Sequence, residues 1–203
     1  MIAKGEKRMS YLKEKILEDG IIYPNNVLKI DSFLNQQIDP IIMKKIADEF
    51  YEYYKDKGIT KILTIEASGI TPAIILATKL NVSMLFAKKS KPSTLEKEAC
   101  YHAKVYSYTK RKTSDVLVPK KYLKKDDKVL IIDDFLANGE ASLGLVDLAK
   151  QAGSNVVGIG ICVEKSFQPG RKRLEEAGLD VYSIVRIEKI DYENQKVIFK
   201  DGH

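Results

Sequence analysis

The sequence predicts an α/β fold with a mostly parallel, open sheet and flanking helices. Short apolar runs, typical of strands buried on both faces, alternate with segments whose apolar residues recur at helical spacing. Three of the predicted strands end in polar loops, and open α/β sheets bind their ligands outside the carboxyl ends of the strands. We therefore expect the functional site at that edge of the sheet.

Residues 1–38 predict a tail and a small N-terminal lobe, and residues 39–203 predict the core of the fold. The first helix of the core is expected to be capped by Asp39 and to begin at Pro40, because both residue types are favoured at those positions. The lobe is predicted as a short amphipathic helix and two brief strands around a Pro-Asn-Asn turn, at 11–18, 21–23 and 27–30.

The core continues as strands alternating with helices. A second core helix is expected to be capped by Thr71 and to begin at Pro72, and a third runs from about residue 143 to 151. The long polar segment 88–113 predicts an active-site cover, with residues 104–108 as one arm of a hairpin. The predicted strands are 61–65, 82–87, 116–118, 129–132, 155–164, 181–187 and 197–199, and the last helix is 171–177.

Composition restricts the function classes. The net charge is +6, which is compatible with nucleic acid or with small polyanions as ligands, although a lysine-rich solvated surface explains most of it. No apolar run approaches the length of a membrane span, and no apolar segment of a signal peptide is seen. Two cysteines and two histidines form no metal-binding or redox spacing. We expect a cytoplasmic protein with no membrane partner.

The segment 129–141 carries the clearest chemical signal. Four apolar residues precede Asp133 and Asp134, and a short loop containing Gly139 then leads into a helix. Carboxylates accept hydrogen bonds from vicinal hydroxyls or hold a hydrated cation, and loop amides at a helix N-terminus bind phosphate. This order predicts a sugar-phosphate site; the alternative is an ordinary strand with a solvated acidic turn.

Two further loops are expected at the same edge. The sequence Glu66-Ala67-Ser68-Gly69 follows the strand 61–65, and its small residues would allow phosphate oxygens close to the backbone. A polar turn at 164–170 follows the strand 155–164. Taken singly, a plain turn between strand and helix explains the first of these as well as a phosphate site does.

The strand, acid pair and glycine-containing loop at 129–141 resemble the phosphoribosyl-diphosphate signature of type I phosphoribosyltransferases. Residues 28–40, 66–69 and 164–171 are similar to segments of the xanthine phosphoribosyltransferases, and the similarity extends over almost the whole chain from about Tyr11. The resemblance implies transfer of the phosphoribosyl group of 5-phosphoribosyl 1-diphosphate (PRPP) to xanthine. It also implies Mg²⁺, carried mainly by PRPP with no protein ligand assigned, and a homodimer.

The resemblance also implies roles for individual residues. Asp133 and Asp134 would hold the ribose hydroxyls and stabilise a ribose that becomes cationic as diphosphate leaves. The 5′-phosphate would be bound by Ala137, Asn138, Gly139, Glu140 and Ala141, and the diphosphate by Glu66, Ala67, Ser68 and Gly69. Xanthine would be bound by Leu28, Asn35, Lys165 and Phe167.

One departure from related sequences bears on the base. Hypoxanthine–guanine phosphoribosyltransferases carry an acid, a candidate general base, where this chain has Ala137. The departure favours xanthine or adenine; either xanthine's own acidity then replaces a general base, or another group serves as the base. Two alternatives remain: transfer to guanine, hypoxanthine or adenine, or a PRPP-sensing regulator. The regulator is disfavoured, and no nucleic-acid partner is expected, because fewer than 40 residues precede the core.

Overall fold

The computed structural model describes residues 10–89, 99–107 and 112–202, and the described chain is built on one six-stranded sheet. Five of its strands run parallel, and the last pairs antiparallel at one edge. This confirms the predicted mostly parallel open sheet. In spatial order the strands are β10 (Lys196–Phe199), β9 (Val181–Asp191), β8 (Asn155–Lys165), β7 (Lys128–Leu136), β3 (Lys61–Ile65) and β4 (Ser83–Ala87).

Helices cover both faces of the sheet. Residues along β7 alternate between two apolar clusters: Leu130 and Ile132 pack on one face, and Val129 and Ile131 pack on the other. This alternation explains why the strand is apolar at every position. No helix in the described part of the chain is long and apolar enough to cross a membrane. The helices are α1 (Tyr11–Asp19), α2 (Pro40–Tyr54), α3 (Ile70–Leu80), α4 (Glu140–Ala152) and α5 (Gly170–Glu176).

The N-terminal lobe packs on the first face of the sheet. It consists of α1, an antiparallel hairpin of β1 (Ile21–Tyr23) with β2 (Val27–Lys29), and a π-helical turn over Asp31–Asn35. The buried side chains of Ile16 and Phe33 belong to the same apolar cluster as α2. The lobe is therefore held to the core by shared apolar packing, which fixes where its polar side chains lie.

The helix starts test the capping predictions. Asp39 caps α2 as predicted: its carboxylate accepts hydrogen bonds from the backbone N–H of Ile41 at 2.8 Å and of Ile42 at 3.2 Å. The predicted start of α3 is wrong, because the helix begins at Ile70 with Gly69 as its N-cap, and Thr71 already lies inside it. Only residues 66–69 therefore separate β3 from α3.

The strand β7 is longer than predicted. It continues through Asp133 and Asp134 to Leu136, because its ladder with β8 pairs Asp133 with Ile161 and Leu136 with Glu164. The acid pair therefore lies within a strand and not in the loop after it. Only residues 137–139 separate β7 from α4, so the loop is anchored closely at both ends.

Residues 104–107 of the predicted hairpin arm 104–108 lie in an antiparallel hairpin. Strand β5 (Cys100–Ser107) pairs antiparallel with β6 (Lys112–Pro119), so the predicted strand 116–118 is the end of a longer one. Residues 90–98 and 108–111 of the predicted cover 88–113 lie outside the described residues. The described hairpin packs against α4 and contributes Tyr106 to the site below.

Candidate active site

The acid pair lies where β7 separates from β3. The two strands pair only from Lys61 to Leu63, and beyond this point a cavity of about 360 Å³ opens beside Asp133 and Asp134. A side chain at Gly69 would not fit beside the acid pair, because a Cβ there would lie 2.2 Å from the Thr64 hydroxyl oxygen and 3.4 Å from an Asp133 carboxylate oxygen. Because the two strands separate here, Asp133 and Asp134 line a cleft although both lie within a strand.

Asp133 is a buried carboxylate that lines the larger cavity. Only 4% of it is exposed, and its Oδ1 accepts a hydrogen bond from the backbone N–H of Asp134 at 3.1 Å. Burial raises the pKa of the Asp133 carboxyl well above its usual range, the charge of Asp134 raises it further, and the Lys89 ammonium opposes this. A ligand that brings hydroxyl donors or positive charge would stabilise the ionised form of Asp133.

The loop after the acid pair forms a second, smaller cavity. Residues 137–142 line a space of about 160 Å³ together with Tyr106, Asp133 and Phe135. Gly139 has φ +82°, which lets the chain turn directly into α4. The amides of a first helical turn have no intrahelical partner, and the buried Ser142 hydroxyl has none among the described residues. These groups are the donors that an anion requires.

The loop between β3 and α3 faces the acid pair across the larger cavity. Glu66, Ala67 and Ser68 line that cavity, and Gly69 lies close to Asp133 as described above. The carboxylate of Glu66 accepts a hydrogen bond from the backbone N–H of Lys89 at 2.6 Å, which places the start of the predicted cover beside this loop. The structure therefore brings the two predicted phosphate loops to opposite sides of the acid pair.

Asn35 connects the N-terminal lobe to the acid pair. Its amide nitrogen donates a hydrogen bond to Oδ2 of Asp134 at 3.0 Å, across 99 residues of sequence. The amide oxygen of Asn35 is buried and has no hydrogen-bond partner in the described part of the chain. Leu28 lies next to Asn35 along the wall of an open hollow of about 430 Å³ in the lobe. This oxygen is therefore available to a donor on a ligand.

Lys165, at the end of β8, reaches the same lobe. Its ammonium donates to the backbone carbonyl of Asn26 at 3.0 Å and lies 5.8 Å from the centre of the Phe135 ring. Burial lowers the pKa of Lys165. Asn35 therefore contacts the acid pair directly, whereas Lys165 contacts Asn26 and lies beside Phe135; each of the two links the lobe to the core.

The two phenylalanines near the site differ in position. Phe167, the residue expected at the base, is 38% exposed and lines neither cavity at the acid pair. Phe135 lines both of these cavities, and the sequence analysis did not single it out as a site residue. Its position directly after two acids in an otherwise apolar strand was the available signal.

A buried ion-pair network supports the turn that carries Lys165. Glu164 is 1% exposed, and it accepts hydrogen bonds from Arg171 at 2.8 Å, from Arg186 at 3.2 Å, and at 2.6 Å from the hydroxyl groups of Ser166 and Ser183. Burial alone would raise the pKa of Glu164, but the donors outweigh it, and the pKa lies below its usual range. This structural role of Glu164 was not predicted from the sequence.

A divalent cation would have to share its ligands with a substrate. The described residues contain no group of three or more His, Cys, Asp or Glu side chains able to hold a metal ion. Asp133, Asp134 and Glu66 line the larger cavity and supply carboxylate oxygens to it. This donor set fits Mg²⁺, which is commonly bound by one or two carboxylates, by water and by substrate phosphates.

Comparison with known proteins shows which family this chain is similar to. Residues 30–199 match the phosphoribosyl transferase domain family. The chain is 57% identical over 183 residues to a xanthine phosphoribosyltransferase of Macrococcus caseolyticus, covering 90% of this chain and 94% of that protein. It is 56% identical to a Staphylococcus aureus xanthine phosphoribosyltransferase, covering 90% of this chain and 95% of that protein.

Solved structures agree on the fold. The adenine phosphoribosyltransferase of Saccharomyces cerevisiae aligns with a TM-score of 0.71 at 24% identity, covering 86% of this chain and 98% of that chain. That of Rhodothermus marinus aligns with a TM-score of 0.71 at 22% identity, over 87% and 98%. The fold and the match over residues 30–199 together show that the chain belongs to the phosphoribosyl transferase domain family.

Proposed function

We propose that this protein is a xanthine phosphoribosyltransferase that converts xanthine and PRPP into xanthosine 5′-monophosphate and diphosphate. The observation that carries the proposal is the 56–57% identity, over 90% of the chain, to proteins of that name. In the reaction the bond from ribose C1 to diphosphate breaks, and a bond from C1 to a purine nitrogen forms. The purine nitrogen gives up its proton.

The acid pair serves the ribose. Asp133 and Asp134 accept hydrogen bonds from the 2′- and 3′-hydroxyls, and their negative charge stabilises the positive charge that develops on the ring as diphosphate leaves. Fixed charges in a water-poor site stabilise such transition states strongly. The raised pKa of Asp133 supports this assignment. The ionised carboxylate is destabilised in the free protein, so a cationic partner stabilises it strongly.

The two loops serve the phosphates. Residues 137–141 bind the 5′-phosphate through backbone amides, and the buried Ser142 hydroxyl adds a donor. Residues 66–69 bind the diphosphate. Asp133 or Asp134 would hold an outer contact to Mg²⁺ brought by PRPP, and the ion would supply charge neutralisation to the diphosphate. Closure of the segment 88–113 excludes water, which would otherwise hydrolyse the activated sugar.

The lobe and the end of β8 serve the base. Lys165 donates to a purine carbonyl, and the unpartnered oxygen of Asn35 accepts from a ring N–H. Leu28 contributes an apolar wall. Phe135, which lines the cavities, is better placed than Phe167 to contact the purine ring. Since Ala137 supplies no carboxylate, the acidity of xanthine takes the place of a general base.

We also propose a cytoplasmic homodimer in which residues 1–38 form the base-binding lobe.

Incubation with PRPP, Mg²⁺ and each purine base, followed by chromatography of the nucleotides, tests the function. Xanthosine 5′-monophosphate should form fastest. Faster turnover of guanine, hypoxanthine or adenine would keep the reaction and overturn the substrate. Absence of turnover with every base would refute the enzyme and favour a PRPP-sensing protein.

A further inference from the structure

Helix α5 holds the loop 137–141 from the side opposite its cavity. The backbone N–H of Gly170 donates to the carbonyl of Ala137 at 2.9 Å. The guanidinium of Arg173 donates to the carbonyl of Asn138 at 2.5 Å and to the carboxylate of Glu140 at 2.6 Å. No residue of α5 is among those that line the loop's cavity. Two consecutive loop carbonyls are therefore held by one helix.

Holding a carbonyl also fixes the direction of the next amide. In a planar trans peptide, the C=O of one residue and the N–H of the following residue point in opposite directions. With the Ala137 and Asn138 carbonyls turned toward α5, the N–H groups of Asn138 and Gly139 point away from α5. These are backbone donors of the proposed 5′-phosphate site. Their direction thus depends on Gly170 and Arg173.

The backbones approach closely at this contact. A Cβ on Gly170 would lie 2.4 Å from the carbonyl oxygen of Ala137, and a Cβ on Gly139 would lie 3.3 Å from the Cα of Gly170. Glycine at both positions lets the short hydrogen bonds form. The loop is therefore pressed against α5 and is not free to rotate its peptide planes independently.

Arg173 also balances a charge. Glu140 is the first residue of α4, so its carboxylate lies in the helical turn whose amides face the proposed phosphate. An unpaired carboxylate there would repel a phosphate dianion. The ion pair with Arg173 offsets that repulsion, and Arg173 itself is not among the residues that line the loop's cavity. One guanidinium thus orients the loop and neutralises its nearest acid.

We propose that Arg173 is a positioning residue for the 5′-phosphate: it holds the loop 137–141 in its binding conformation and neutralises Glu140, without touching the substrate. This inference rests on the proposed function, which assigns that loop to the 5′-phosphate. It separates Arg173 from Arg171 on the same helix, which binds Glu164 beneath the turn that carries Lys165. Loss of Arg173 should therefore weaken binding of the sugar phosphate and spare the base.

The test is calorimetric titration of the full chain without any purine base. Arg173→Met removes the donors and the charge but keeps an aliphatic stem. The matched control is Lys172→Met, which makes the same charge change at the preceding residue of α5. The Lys172 side chain is 79% exposed. We expect Arg173→Met to weaken binding of PRPP and of ribose 5-phosphate about tenfold, which is about 1.4 kcal/mol. Diphosphate should bind unchanged, and Lys172→Met should match the wild type.

Equal affinity of Arg173→Met and wild type for ribose 5-phosphate would overturn the proposal, and so would an equal loss of diphosphate binding. If Arg173→Met fails to fold, Arg173→Lys retains one donor and the charge, and a loss of about twofold to fivefold in PRPP affinity is expected. No loss in Arg173→Lys would then count against the proposal. Because no base is present, failure to turn over xanthine would refute the proposed function and leave this result standing.

Discussion

The two halves of the site are built differently. The sugar-phosphate half is one continuous segment, in which Asp133, Asp134 and the loop 137–142 follow one another along β7 and into α4. The base half is assembled from distant segments: Asn35 meets Asp134 across 99 residues, and Lys165 meets Asn26 across 139. The first half depends on backbone conformation, and the second depends on how the N-terminal lobe packs on the core.

This difference separates chemistry from selectivity. In the proposed function, backbone amides and two carboxylates bind the 5-phosphoribosyl group and do not touch the base. The side chains of Asn35 and Lys165 come from other parts of the chain, the N-terminal lobe and the end of β8. We therefore expect substitutions in the first half to slow the reaction, and substitutions in the second half to alter the choice and affinity of the base.

The largest effect is expected at the acid pair. Asp134→Asn should lower kcat about 10²- to 10³-fold, because a preorganised charge beside the developing cation is lost. Stability should change little, since an amide oxygen can still accept the hydrogen bond from Asn35. Initial rates with saturating xanthine and PRPP measure the effect, with Asp126→Asn at an exposed turn as control. Unchanged kcat in Asp134→Asn would remove the pair from the reaction.

A smaller and more selective effect is expected in the base half. Lys165→Met should raise the KM for xanthine about 10- to 100-fold, because one hydrogen bond from a charged donor is lost. The KM for PRPP should stay within about twofold, and this split distinguishes the two halves. Steady-state kinetics with each substrate varied in turn provides the measurement. A change confined to the KM for PRPP would contradict the placement of Lys165 at the base.

The two buried carboxylates predict opposite changes in stability. Glu164 is fully hydrogen-bonded and its pKa is lowered, whereas the pKa of Asp133 is raised by burial and by Asp134. Glu164→Gln breaks a buried ion-pair network and should lower Tm by about 6–12 °C. Asp133→Asn removes a poorly compensated charge and should raise the Tm of the ligand-free protein by about 2–4 °C.

The pH dependence of these two changes also differs in sign. A lowered pKa in the folded protein stabilises it above the usual range of Glu, so the loss in Glu164→Gln should shrink as pH falls below about 4. A raised pKa costs stability as pH rises above about 4, so the gain in Asp133→Asn should grow from pH 4 to pH 7. Calorimetric melting curves of both variants across this range measure it. A gain for Asp133→Asn that is largest at pH 4 would contradict the account.

How much the sequence predicts follows the same division. The strands β3, β7 and β8, the acid pair and the phosphate loop depend on local patterns, and local patterns are visible in a single sequence. The extension of β7 to Leu136 was missed, because two acids read as the end of an apolar strand until pairing with β8 is known. The contacts of Asn35 and Lys165 depend on packing of the lobe, which no local pattern encodes.

The two phenylalanines test this division with the smallest expected effect. Phe167 follows Lys165 in a turn, and its 38% exposure leaves it outside both cavities at the acid pair, which Phe135 lines. Phe167→Leu should therefore change the KM for xanthine by less than about twofold, whereas Phe135→Leu should raise it about threefold to tenfold through lost aromatic contact. The two changes are chemically identical, so each variant is the control for the other. If Phe167→Leu had the larger effect, the base would be bound on the outer side of the 164–170 turn, and the link between Asn35 and the acid pair would lose its role in recognising it.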